Sequence, residues 1–208
     1  MDRHVAVTLF RHGVTKANLE RKYVGWSDPP ITYEARRTLK VLQSDIPSFD
    51  FCVSSDLTRC RQTAAILGRG VRHMETEAFR EMNFGQWELK TYTDLCQDEA
   101  YQNWLSDPFS NRPPDGEWFA DMENRVMNGW TSLKKTINDQ AHQEMLLVTH
   151  GGVIRLLLTK LADEEKNFWQ WQIPHGSGMR LCWTYRDWKE GSRCTSLRVV
   201  PSTGNENG

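Results

Sequence analysis

Short apolar runs alternate with amphipathic stretches along most of the chain. Val5 to Phe10 is apolar and rich in β-branched residues, and it stops at Arg11-His12-Gly13. This is the pattern of a buried strand. Gly25-Trp26-Ser27-Asp28-Pro29-Pro30 reads as a loop, after which Thr32 caps a helix over Glu34 to Gln43. Phe49 to Ser54 predicts a second strand and Leu57 to Leu67 a helix that Gly68 and Gly70 end. Val71 to Met74 predicts a short third strand. Residues 83–116 lose periodicity and read as a partly helical excursion, broken at Pro113-Pro114-Asp115-Gly116. Phe119, Met122, Val126, Trp130 and Leu133 then fall near helical spacing, predicting a long helix over Glu117 to Ile137. Glu144 to Thr149 is a strand running into His150-Gly151-Gly152, and Val153 to Leu161 is a helix. Met179 to Tyr185 and Ser192 to Val199 predict two late strands joined by a Gly-containing turn. Residues 203–208 read as a frayed tail.

Strands alternating with helices predict an α/β fold: a three-layer α/β/α sandwich around a mostly parallel sheet. No linker or repeat divides the chain, so residues 1–202 are expected to form one domain with 83–116 as an inserted cap. Its 208 residues suffice to bury roughly 70% of the unfolded surface. A net charge of -1 argues against general nucleic-acid binding, because a basic stripe would be its first footprint. No run approaches the roughly 18 apolar residues of a membrane span. The five cysteines include no C-x-x-C pair, which argues against a disulfide framework or a zinc knuckle. The scattered histidines give no metal site. A cytoplasmic location is therefore expected, with no membrane partner and no nucleic-acid partner. Nine tryptophans are the compositional excess, read as core or pocket wall.

In sheets of this kind ligands bind beyond the carboxyl ends of the strands. Arg11-His12-Gly13 and His150-Gly151-Gly152 both stand where a strand ends and a helix follows. Glycine lets a ligand approach the backbone, and the N–H groups opening the helix make an anion site. Arg11 adds a planar fork matched to phosphate oxygens. Arg59 and Arg61 offer a second fork. Cations in the first turn of a helix oppose its dipole, so an anion nearby or a solvated basic turn are both open readings.

These residues resemble the histidine phosphatase superfamily, which includes the cofactor-dependent phosphoglycerate mutases. The carrying motifs are Arg11-His12-Gly13-Val14-Thr15 with Asn18, then Gly25 with Asp28-Pro29-Pro30-Ile31-Thr32. The segment Ser54 to Ala64 follows, then Glu81 ahead of Phe84-Gly85-Gln86-Trp87-Glu88, and last Thr149-His150-Gly151-Gly152. Two positions depart from the pattern: Ala35 and Leu89 stand where the family usually has glycine. The resemblance implies a phosphoglycerate mutase-like fold and a phosphohistidine mechanism that needs no metal or cofactor. His12 is then the nucleophile and Glu81 the general acid. Arg11, Arg59 and His150 hold the phosphoryl oxygens, with Asn18, Gly25 and Gly151 as further substrate-binding positions.

The stretch between Glu81 and the strand before His150 is short, which favours a phosphatase over a mutase. The central segment, with Asp94-Leu95, Trp104 and Asp115-Gly116-Glu117, looks like that of the α-ribazole phosphatases. The expected partner is a small-molecule phosphomonoester. Phosphoserine, sugar phosphates and phosphoglycerates are alternative substrates, and a non-catalytic phospholigand-binding module is the alternative of another class. Trp87, Trp104 and Trp118 are candidates to stack on a flat base or simply to pack the cap. Phe168 to Pro174 is open to three readings, a homodimer edge, a pocket wall or, by default, simple packing. His175 stands in a Gly-rich loop where a ligand could approach, and is read as an ordinary loop histidine.

Overall fold

The computed structural model describes residues 4–140 and 143–201. Its centre is a six-stranded sheet of β1 (His4–Arg11), β2 (Phe51–Ser55), β3 (Arg72–Thr76), β4 (Glu144–Thr149), β5 (Gly178–Thr184) and β6 (Ser196–Val200). The spatial order is β3-β2-β4-β1-β5-β6. β1, β2, β3 and β4 run parallel, and β5 is antiparallel to both of its neighbours. The helices are α1 (Lys16–Leu19), α2 (Tyr33–Leu42), α3 (Thr58–Leu67), α4 (Tyr92–Leu95), α5 (Glu99–Ser106), α6 (Phe119–Gln140), α7 (Gly151–Leu161) and α8 (Tyr185–Glu190).

The central strands bury both faces, so their side chains divide by parity. Val5, Val7, Leu9, Met145 and Leu147 pack with Met122, Val126, Leu133 and Ile137 of α6 and with the apolar face of α7. Phe10, Cys52, Leu146 and Val148 point the other way, onto Leu39 of α2 and Cys60, Ala64 and Leu67 of α3. A continuous apolar run is what a parallel strand covered on both sides requires. The mostly parallel three-layer sandwich read from the sequence is therefore the fold observed. Residues 83–116 add no strand to the sheet; they carry α4, α5 and the 3-10 turn Gly85–Trp87.

One sequence expectation is corrected. The last two strands are joined by α8 and not by a turn. Thr184 caps that helix, its hydroxyl accepting from the Asp187 N–H, and Gly191 ends it at φ 78. The glycine marks a helix terminus, where a left-handed residue costs least. The third strand runs Arg72–Thr76 and is largely exposed, as an edge strand is. The expected tail at 203–208 lies outside the described residues. Among the described residues, no helix is long and apolar enough to cross a membrane.

Six of the nine tryptophans are buried. Trp130 of α6, Trp183 of β5 and Trp188 of α8 form one cluster, with ring centroids 5.1–6.1 Å apart. Trp188 Nε1 donates to Asn138 Oδ1 at 2.9 Å, so the indole is buried with its polar atom satisfied. Trp188→Ala removes both the ring and that bond, at a cost of about 3–5 kcal/mol. The expected result is a Tm lower by roughly 6–20 °C, with the catalytic activity of the folded fraction unchanged, read by calorimetry beside an activity assay.

Candidate active site

The site is assembled by strand ends that parallel pairing brings level. Arg11, the last residue of β1, is opposite Thr149, the last of β4, and the His12 N–H donates to the Thr149 carbonyl at 3.0 Å. His12 and His150 therefore leave the sheet side by side, with ring centroids 5.1 Å apart. β2 lies on the other side of β4, and Ser55 at its end shares a 3.0 Å hydrogen bond with His150 Nε2. α3 then carries Arg59, whose side chain is fully buried.

His12 Nδ1 lies 2.8 Å from the Gly13 carbonyl. A carbonyl oxygen only accepts, so Nδ1 carries the proton and Nε2 holds a free lone pair. Burial, and after it the charge of Arg59, pushes the His12 imidazole well below the usual histidine range. The same causes in the same order hold His150 low. Burial pulls the Arg11 guanidinium down to about 10, with Glu81 opposing and Arg155 and Arg59 adding to the shift. Arg11 Nη1 donates to the Ile173 carbonyl at 2.6 Å, while its buried Nε has no partner among the described residues.

Arg59 resolves the question of the two basic residues opening α3. It does not face solvent: Nη1 donates to the Ser27 carbonyl at 2.7 Å and Nη2 to the Gly25 carbonyl at 2.6 Å. Its Nε is buried without a partner among the described residues. Arg61 turns outward and pairs with Glu75 on β3. The second fork is thus Arg59 alone.

The loop that receives Arg59 is held by Glu88. This carboxylate accepts the backbone N–H groups of Gly25, Trp26, Ser27 and Phe84, at 2.8–3.2 Å. Gly25 is needed because the loop passes tight against the next segment: an added Cβ would lie 2.0 Å from the Met82 carbonyl oxygen. Gly25 therefore shapes the bed of Arg59 and does not line the cavity. Leu89 follows Glu88 at φ 61, a left-handed conformation suited to the glycine that the family pattern has there.

Glu81 is fixed from both ends. Oε1 accepts the Met82 N–H at 3.0 Å and Oε2 the Gly152 N–H, in the first turn of α7, at 2.9 Å. Its main chain is gripped by Arg125 of α6, which donates to the carbonyls of Glu77, Ala78, Arg80 and Glu81 while paired with Glu117. Arg80, the nearest candidate partner in sequence, pairs instead with Asp56. Gly152 is as tight as Gly25, since a Cβ there would lie 2.3 Å from Glu81 Oε1. A Cβ added at Gly151 would lie 3.1 Å from the guanidinium carbon of Arg11.

A cavity of about 370 Å³ opens beside Arg11, Glu81 and Gly152, with the buried His12, Arg59 and His150 behind its lining. Arg11, Asn18, Glu81, Gly152 and Arg155 line its polar side, and Tyr23, Phe84, Trp104, Phe119, Phe168 and Trp169 its aromatic side. Asn18 caps α1 with its carbonyl oxygen, which accepts from Thr15, so its amide nitrogen is the end left for a ligand. Of the three tryptophans singled out for stacking, Trp104 lines the cavity and Trp87 is buried beside it, with ring centroids 5.5 Å apart. Trp118 stays outside, under the guanidinium of Arg112. Phe168 and Trp169 belong to the wall.

Sequence reasoning placed His175 in a Gly-rich loop open to a ligand and gave it no role. Its ring stands 5.1 Å from that of His12. The signal was available in the sequence: His12, His150 and His175 are each followed by glycine, and His4 and His73 are not.

Two predictions follow from this geometry. Glu88→Ala releases the loop that receives Arg59, so kcat/KM falls by about tenfold or more although Glu88 does not line the cavity; steady-state kinetics on the folded variant checks it. The second concerns pH. His12 and His150 stay neutral in the folded chain, whereas the unfolded chain binds protons below about pH 6.5. Stability is thus fully present above that pH and declines as pH falls. The urea midpoint should drop between pH 7.5 and 5.5, and a flat midpoint would contradict neutral burial.

Comparison with known proteins places this arrangement. The family model for the histidine phosphatase superfamily (branch 1) matches residues 7–193. An adenosylcobalamin/α-ribazole phosphatase of Salmonella typhimurium is 32% identical, over 93% of this chain and 95% of that protein. The crystal structure of the α-ribazole phosphatase from Shigella flexneri superposes with a TM-score of 0.83 at 27% identity, covering 98% of this chain and all of that one. A 2,3-bisphosphoglycerate-dependent phosphoglycerate mutase of Methylobacterium radiotolerans is 29% identical, over 74% of this chain and 78% of that protein.

Proposed function

Because the chain belongs to the histidine phosphatase superfamily, we propose that it hydrolyses a small-molecule phosphomonoester through a phosphohistidine at His12, with α-ribazole 5′-phosphate as the substrate. The observation that carries the mechanism is the His12 Nδ1 bond to Gly13, which leaves Nε2 unprotonated beside two buried guanidinium groups. His12 Nε2 attacks phosphorus as the ester P–O bond breaks, and Glu81 delivers a proton to the leaving oxygen. Water then attacks the phosphohistidine. Glu81, now a carboxylate, takes the water's proton, the P–N bond breaks, and inorganic phosphate leaves.

Arg11, Arg59 and His150 hold the phosphoryl oxygens. Their chemistry is positioning and charge stabilisation, most of what phosphoryl transfer asks of a protein. Arg11 and Arg59 each bring a buried Nε–H with no acceptor among the described residues. Asn18 adds its amide nitrogen, and Gly151 lets the substrate approach Arg11 closely. Gly25 acts through Arg59 and not by contact.

The substrate reading rests on the α-ribazole phosphatases, which match along nearly their whole length, whereas the mutase matches over a smaller part. It also fits the aromatic wall, which offers flat faces to a base attached to the phosphorylated sugar. On this reading residues 1–202 work as one domain, with 83–116 as its cap. The enzyme works in the cytoplasm, in keeping with five free cysteines.

Phosphate release is the test, from α-ribazole 5′-phosphate, phosphoserine, 3-phosphoglycerate, a sugar phosphate and an aryl phosphate. The α-ribazole ester is expected to exceed the other natural phosphates about a hundredfold in kcat/KM, about 2.7 kcal/mol of discrimination. His12→Ala should lower turnover by at least about 1,000-fold and abolish acid-labile labelling by a ³²P substrate, with the fold intact. Glu81→Gln should slow alkyl phosphates far more than the aryl phosphate, whose leaving group needs less protonation. A flat panel that still requires His12 sinks the substrate reading alone.

A further inference from the structure

We propose that His175 is a third imidazole of the phosphoryl site, donating from Nδ1 to an oxygen of the phosphoryl group that Arg11 and His12 engage. The proposal rests on the reading of His12 as nucleophile.

Three observations carry it. His175 Nδ1 is buried and has no partner among the described residues. An unpaired buried donor costs free energy, so such an atom at a binding site points to a ligand that completes it. The ring also stands at the right place. It meets the His12 ring edge-on at a centroid distance of 5.1 Å, and it lines a recess with Arg11, Asn18, Lys22 and Tyr23. Arg11, Asn18, Lys22 and Tyr23 line the main cavity as well, so the recess adjoins it.

The third observation is that His175 is held in register with Arg11 by Arg11 itself. The Arg11 side chain donates to the carbonyl of Ile173, and its main-chain N–H donates to that of Ser177. Ser177 Oγ closes the loop onto the Pro174 carbonyl at 2.8 Å. Gly178 presses so near β1 that a Cβ would sit 2.4 Å from the Leu9 carbonyl oxygen. A loop fastened at both ends to one phosphate-binding arginine keeps its imidazole at a fixed offset from that arginine. Burial, and after it the charge of Arg11, brings His175 down to about 4 against the opposing hydrogen bond to the His12 main chain, so the free enzyme presents a neutral imidazole.

His175→Ala and His175→Asn separate contact from packing, because the asparagine amide nitrogen falls where Nδ1 stood. The readouts are kcat/KM, the inhibition constant of inorganic phosphate, and ³²P labelling of His12. For His175→Ala, kcat/KM should fall about 10- to 100-fold and phosphate inhibition should weaken about tenfold. His175→Asn should recover most of both. An alanine variant with unchanged phosphate inhibition overturns the proposal, and so does equal damage in both variants. If the alanine variant does not fold, His175→Gln replaces it: its nitrogen falls nearer Nε2, so it should fail where asparagine succeeds, and equal behaviour of the two overturns the proposal. Wild-type enzyme that never labels His12 refutes the underlying mechanism. Normal labelling with indifferent His175 variants refutes only the role of His175.

Discussion

The parallel pairing of β1 with β4 is the constraint on which the site depends. It sets Arg11 opposite Thr149 and leaves His12 and His150 emerging together. Side chains alternate along a strand, so a slip of one residue would turn Phe10 and Val148 out of one core layer and Leu9 and Leu147 out of the other. The register that satisfies both hydrophobic layers is also the one that juxtaposes the two imidazoles. Core packing and phosphate chemistry are thus specified by the same hydrogen-bond ladder.

Beyond the strand ends, the reacting groups depend on polar hubs that touch no ligand. Glu88 gathers four backbone N–H groups and shapes the loop whose carbonyls receive Arg59. Arg125 gathers four carbonyls and fixes the segment that presents Glu81. Each hub satisfies backbone groups that a loop would otherwise give to water. On the proposed mechanism this is preorganisation: the cationic and acidic groups already stand where charge would develop, and little rearrangement is left for the reaction itself.

Much of this was legible because it rests on local rules. The strand over Glu144–Thr149 and the helix capped by Thr32 appear with the expected residues or within two of them. The motif histidines, Arg59 and Glu81 do converge. What sequence could not show were outcomes decided by tertiary contacts. Only the family motif separates Arg59 from Arg61 in the sequence, and the physical difference is tertiary: one is swallowed by loop carbonyls and the other faces Glu75. Gly25 looked like a ligand contact and is a steric necessity. The helix before β6 was masked because Gly191 is both a turn signal and a helix stop, although Thr184 with Asp187 three residues on was the capping cue. His175 comes from a loop distant in sequence, brought to His12 only by the antiparallel return of β5.

The cavity wall has a different origin from its floor. The reacting groups come from strand ends, helix starts and the short segment at Glu81, all locked by backbone bonds. The aromatic wall is supplied by Phe84, Trp104, Phe119, Phe168 and Trp169, side chains from separate segments outside the sheet. Exchange of one wall ring for another alters no bond in the phosphate cradle. Natural variation can therefore explore new leaving groups by single substitutions while the reaction continues to work, so a lineage built on this scaffold is free to change what it dephosphorylates without passing through an inactive ancestor.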